Sequence, residues 1–210
     1  MTRGGPFAAL VVLVLTLAAC GSSTPSPSTG QTSGASRSPG SSLPAASDGA
    51  GASSSVVAVV DVDQDLLDLL PVAVGGIAIT SDPVTAASIA TDPALAANAS
   101  AIAVGIAVAP GASGADDLAV ASAVELRPGV YSDAFFRDWR DSYDSAACET
   151  AGGVSGNAEA DIGGHHAYIG TCTGGAHTYH VYLEKDDVIV SVTSVGELRL
   201  GEQVIAGLRE

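Results

Sequence analysis

Two stretches in the middle of the chain alternate between bulky and very small side chains. Over residues 101–108, Ile102, Val104, Ile106 and Val108 interleave with Ala101, Ala103, Gly105 and Ala107. Over residues 118–126, Leu118, Val120, Val124 and Leu126 interleave with Ala119, Ala121 and Ala123. A period of two is that of a β-strand, whose successive side chains point to opposite faces. The two stretches, joined by a Gly-rich loop at 110–115, are therefore expected to be strands of one sheet with a branched face and a smooth face. The branched face should carry the helices, because burial there yields about 25 cal/mol per Å² of apolar surface.

The flanking segments supply those helices and more strands. Asp61 to Leu70 opens with acids, has apolar residues at 62, 66, 69 and 70, and stops at Pro71, which predicts a short helix. Gly75-Gly76 then leads into a strand at Ile77 to Thr80. Ser81-Asp82-Pro83 and Thr91-Asp92-Pro93 each place a capping side chain before a proline at the first helical position, so two short helices are expected there. The strongest helix starts near Ser132 and runs to about Cys148. Phe135, Phe136, Trp139, Tyr143, Ala146 and Ala147 form its core-facing stripe, and Arg140/Asp144 is one of its exposed pairs four residues apart. A three-stranded meander is expected over His165–Cys172, His177–Glu184 and Val188–Val195, and a closing helix over Glu197–Leu208. The predicted class is α+β, a single domain with a mostly antiparallel sheet and helices packed on one face. Val74-Gly75-Gly76-Ile77 has an echo in Ile162-Gly163-Gly164-His165, a hint of two related halves.

The amino-terminal region has a different character. Arg3 gives a small positive start, Phe7 to Leu17 is apolar, and Leu17-Ala18-Ala19-Cys20 is followed at once by Gly21 and Ser22. The apolar run is too short to cross a bilayer comfortably. This arrangement resembles the signal and lipobox of bacterial lipoprotein precursors, over the first twenty or so residues only. The resemblance implies that residues 1–19 are a cleaved signal peptide and that the Cys20 thiol receives a diacylglyceryl group. The protein is then expected at the cell membrane, lipid-anchored on its extracytoplasmic face, since two or more acyl chains hold where one is reversible. Residues 20–55 are almost wholly Ser, Gly, Pro, Thr and Ala, with no aromatic residue, and are expected to be a disordered tether reaching on the order of 30 to 35 Å. The folded domain is expected over 56–210, a length suited to one core.

Export makes Cys148 and Cys172 an even pair in an oxidising compartment, which reads as a disulfide; the spacing does not suit a redox CxxC motif. His165, His166, His177 and His180 fall within sixteen positions and invite a metal site. A two-residue Gly174-Gly175 turn would pair Cys172 with His177, Ile169 with His180 and His165 with Glu184. His166 and His177 would then share one face, His165 and His180 the other, too far apart to meet at one ion. No metal and no cofactor are expected. The polar group His165, Thr178, His180, Tyr182 and Glu184, beside the smooth alanine strands, is the most site-like surface and the expected ligand or partner face.

The formal charge is −15, from 8 Lys plus Arg against 23 Asp plus Glu, and Arg3 leaves with the leader. Such a chain is repelled by phosphate backbones, so nucleic acid is not an expected partner. Asp61-x-Asp63-x-Asp65 opens like a calcium loop, but Leu66 and Val72 stand where the turn glycine and the bidentate acid belong. No catalytic constellation emerges, and the expected function is a non-catalytic lipoprotein domain that binds an envelope protein, wall glycan or small ligand. The alternatives are an apolar-ligand (lipid) carrier and an acid–base enzyme using His165, His180, Tyr182 or Glu184.

Overall fold

The computed structural model describes residues 59–111 and 116–209. The expected signal peptide, Cys20 and the tether lie outside these residues. In chain order the strands are β1 (Asp61–Val62), β2 (Ala73–Val74), β3 (Ile77–Ala78), β4 (Thr80–Ser81), β5 (Ala99–Ala109), β6 (Asp117–Leu126), β7 (Val154–Ile162), β8 (His165–Cys172), β9 (His177–Leu183) and β10 (Val188–Val195). The helices are α1 (Pro83–Ala90), α2 (Pro93–Asn98), α3 (Asp133–Cys148) and α4 (Leu200–Ala206), with 3-10 turns at Gln64–Leu69 and Glu149–Ala151.

The central sheet runs β1-β5-β6-β10-β9-β8-β7, with β4 also on the outer side of β5. Among the described strands of this sheet only the β1/β5 pairing is parallel. The expected α+β class and mostly antiparallel sheet are what the chain adopts. Both alternating stretches are strands, and they pair in register, Ile102 with Val124 and Ala103 with Ala123. The caps also form as read: Asp82 accepts from the Thr85 N–H at 3.0 Å, Asp92 from Ala94 at 2.7 Å and Ser132 from Phe135 at 3.1 Å.

The branched face carries α1, α2 and α3, where Ile102, Val104, Val124, Leu126 and Ile189 pack with Ala86, Leu95 and Phe136. The smooth face, expected to be bare of helices, is covered as well. There Ala119, Ala121, Ala123 and the valines of β10 meet Leu200, Val204 and Ile205 of α4, with Leu70 and Val74 from the segment before β3. Small side chains on the sheet let those covering pieces come close, and the covering pieces supply the bulk. Gly105 illustrates the closeness: a Cβ there would sit 2.7 Å from Ile79 Cγ2.

Three smaller expectations are corrected. Asp61–Val62 is a strand, and the helical turn begins only after Asp63, whose carboxylate accepts from the Asp65 N–H at 3.0 Å. The closing helix is shorter than expected, Leu200–Ala206. The meander has four strands, because Val154–Ile162 pairs with β8 along its length. The two Gly-Gly echoes are hairpin turns, with φ of +57° and +81° at Gly75-Gly76 and +62° and +94° at Gly163-Gly164. Two consecutive positive φ values define the tight turn that suits strand twist, so the echo is one turn chemistry used twice.

Candidate functional site

The β8–β9 turn decides which side chains meet. The Cys172 N–H bonds to the Ala176 carbonyl, which leaves three residues, Thr173 to Gly175, in the loop, and Gly175 takes φ +85°. Tyr168 therefore lies opposite His180, and Thr171 opposite His177. This is one residue away from the register expected for a two-residue turn, and a slip of one exchanges the two faces of a strand. His166, Tyr168, Thr178, His180 and Tyr182 consequently share the face of α3 and of Cys172, while His165 and His177 stand on the other. His165, expected on the same face as His180, stands on the opposite face of the sheet. Glu184 is exposed beyond the end of β9. The four residues considered for acid–base work do not converge, and no three His, Cys, Asp or Glu side chains among the described residues gather as a metal-ligand set.

Thr178 and His180 are not on an exposed face; both are fully buried beneath α3. They hold Asp144, which the sequence pattern had placed in a solvent-facing pair with Arg140 and which is only 6 % exposed. The Asp144 Oδ1 accepts from the Thr178 hydroxyl and lies 2.8 Å from His180 Nε2. His180 Nδ1 is 3.0 Å from Ser191 Oγ, and the Trp139 Nε1–H donates to the same oxygen at 3.2 Å. Because the Asp144 carboxylate only accepts, Nε2–H donates to it, and in the neutral ring Nδ1 accepts the Ser191 hydroxyl proton while the Ser191 oxygen accepts from the indole. Thr178 Oγ1, both ring nitrogens of His180, Ser191 Oγ, the Trp139 N–H and Asp144 Oδ1 thus all have partners, which is what a buried polar network requires. Ser191 is wholly enclosed, so its hydroxyl is a link in the network with no opening toward a substrate.

Asp144 is also where the network meets solvent. It lines a cleft of about 330 Å³ between α3 and β7–β8, together with Arg140, Asp141, Asn157, Glu159 and Tyr168. The Arg140 guanidinium lies 4.1 Å from the centre of the Tyr168 ring, fixing the cation against an aromatic face. With Oδ1 taken by Thr178 and His180, Oδ2 lies over Gly170, whose missing side chain leaves the carboxylate room to sit there. The result is an oriented carboxylate at the cleft floor, flanked by two exposed carboxylates and one guanidinium, with Arg140 Nε 3.6 Å from Asp141 Oδ1. His166 stands at the same edge, 3.6 Å from Glu159 and 3.5 Å from Asp161. A second cleft, about 280 Å³, opens on the opposite face among Thr171, His177, Tyr179, Ser194, Arg199 and Glu202.

Tyr182 is half-buried and stacks on Tyr131 with ring centres 3.6 Å apart. Its hydroxyl donates to Asp187 at 2.9 Å, and burial together with that carboxylate pushes the phenol up to about 12. The cysteine reading fits the fold: Cys148 at the end of α3 and Cys172 at the end of β8 are joined, with Cα atoms 5.1 Å apart.

Asp144, Arg140, Asn157, Glu159 and Ser191 were not singled out from the sequence. One signal did exist for Asp144: Phe136, Arg140, Asp144 and Cys148 are spaced by four, so Asp144 sits between the two buried ends of one helical row. Compared with known proteins, the chain matches no family model, no curated protein and no solved structure.

Proposed function

We propose that this is a lipid-anchored extracytoplasmic lipoprotein whose domain has no catalytic role and binds a partner or small polar ligand of the cell envelope in the cleft between α3 and β7–β8. The observation that carries the reading is Asp144. A carboxylate withdrawn from water, oriented by two donors and left with one oxygen over Gly170 is prepared to receive a hydrogen-bond donor from outside. Arg140 on Tyr168 adds a fixed cation and a flat apolar surface at the same opening. The lipobox-like Leu17-Ala18-Ala19-Cys20 and the cysteine pair support the extracytoplasmic setting. An apolar carrier has less support, since both sheet faces are filled by side chains and both clefts are lined by charged ones.

Cross-linking in the native cell tests the binding reading. A photoreactive phenylalanine at position 157 should give a discrete adduct, the same probe at the exposed position 88 on α1 should not, and Asp144→Asn should weaken the adduct at 157. Equal labelling at 157 and 88 would overturn it. Labelling with an alkynyl fatty acid tests the anchor, and Cys20→Ser should abolish incorporation and release the protein from the membrane.

A further inference from the structure

Strand β7 lines this cleft and ends the sheet. Its inner edge pairs with β8, and among the described residues no strand covers its outer edge. Seven of its nine residues are exposed, among them Asn157, Ala158, Glu159 and Asp161. From Asn157 to Ile162, past the irregularity at Val154–Gly156, alternate N–H and C=O groups of the edge point outward, the arrangement to which an additional strand adds. The register with β8 puts Asn157 opposite Gly170, Glu159 opposite Tyr168 and Asp161 opposite His166, so all three lie on the face of the cleft. The intervening Ala158 and Ala160 are small, and β7 contains no lysine or arginine.

From this we infer that β7 accepts an extended, lysine- or arginine-bearing segment of a partner protein as a further strand. The inference rests on reading the α3–β7–β8 cleft as the binding region and names what enters it. Backbone pairing along 157–162 gives the affinity, and side chains on alternate positions of the added strand give the choice of partner. Those on the cleft face lie beside Glu159 and Asp161, where opposite charge is favourable and like charge is not. A long basic side chain beside Asn157 or Glu159 also has the cleft next to it, where the carboxylates of Asp141, Asp144 and Glu159 outnumber the one guanidinium of Arg140. The same acids hold apart the edges of two copies of this chain, and a formal charge of −15 opposes self-association further. Charge complementarity therefore favours a basic partner over a second copy.

The test uses the mature full chain in detergent and three fluorescent octapeptides: one alternating lysine and valine, one alternating glutamate and valine, and the lysine peptide N-methylated at every second residue. The lysine peptide should bind saturably and more weakly as salt rises, the other two should fail, and binding should slow exchange of the outward-pointing amides among 157–162. Glu159→Gln and Asp161→Asn should each weaken it about twofold to fivefold. Equal binding of the N-methylated peptide, or no effect of either substitution, would overturn the inference. So would protection of the outward-pointing amides among 157–162 in the protein alone together with a dimer in sedimentation, which would make a second copy the occupant. Loss of peptide binding with the position 157 adduct retained in cells would sink this inference and leave the cleft reading standing.

Discussion

Gly170 is the point at which the buried network closes. A Cβ there would overlap Thr178 Oγ1 and lie 2.5 Å from Asp144 Oδ2, with no flexible end to swing aside. Gly170→Ala should therefore lower stability by about 1–3 kcal/mol. Gly156→Ala, where a Cβ meets nothing within 4 Å, should be close to neutral, and urea denaturation of the two variants checks the contrast. Tyr182 gives a prediction in pH. Its folded-state pKa of about 12 lies above the ordinary 10.0, so the stability it contributes is whole below pH 10 and is lost as pH climbs through about 12. Burial holds Tyr131, Tyr143 and Tyr179 above the ordinary range as well, so absorbance at 295 nm should show several tyrosines ionising late, and Tyr182→Phe should remove one tyrosine's share of that phase along with part of the alkaline loss of stability. At this scale the sequence was an incomplete guide for a definite reason. Thr178, His180 and Tyr182 were recognisable as residues of one strand face, but whether that face looked outward or into the protein depended on one extra residue in the turn at Thr173–Gly175.

Among the elements, α3 depends most on a covalent link. The disulfide from its last residue to β8 closes a segment with a sequence separation of 24, and the double variant Cys148→Ala/Cys172→Ala should lose about 3 kcal/mol in chemical denaturation. Reductant applied to the native protein should reproduce most of that loss. Elements with one buried face and one wet face were legible: β5 and β6 from their alternation, and α3 from the Ser132 cap and the stripe through Phe136. Strand β7 was not, because it is exposed on nearly its whole length and carries no apolar alternation to read. The cleft was hidden with it, since one wall is β7 and the other includes Asp144, a charged residue that burial and two partners had recruited. Helix α4 was legible as an element but not in its location; alanines on a sheet look like a bare surface until a leucine-bearing helix is laid on them.

Across the molecule, charge is strongly one-sided, and acidic groups at pH 7 repel one another in the compact state. Raising sodium chloride from 0.05 to 0.5 M should therefore raise the thermal midpoint by a few degrees, roughly the effect of 1 kcal/mol in a domain of this size. A fall in the midpoint across that range would show that ion pairs outweigh the repulsion. The strand order has a mechanical consequence. The described chain enters at Val59 beside β1, and β1 and β7 are the two ends of the path β1-β5-β6-β10-β9-β8-β7, six ladder spacings or about 29 Å apart. A pull between the entering chain and anything held at β7 acts across the strands, along the direction of the hydrogen bonds. Such a load opens the ladders one after another, as a zip opens, instead of shearing many bonds at once. The cysteine link to α3 sits on β8, the strand next to the loaded edge, where it binds that margin of the sheet to the helix above it.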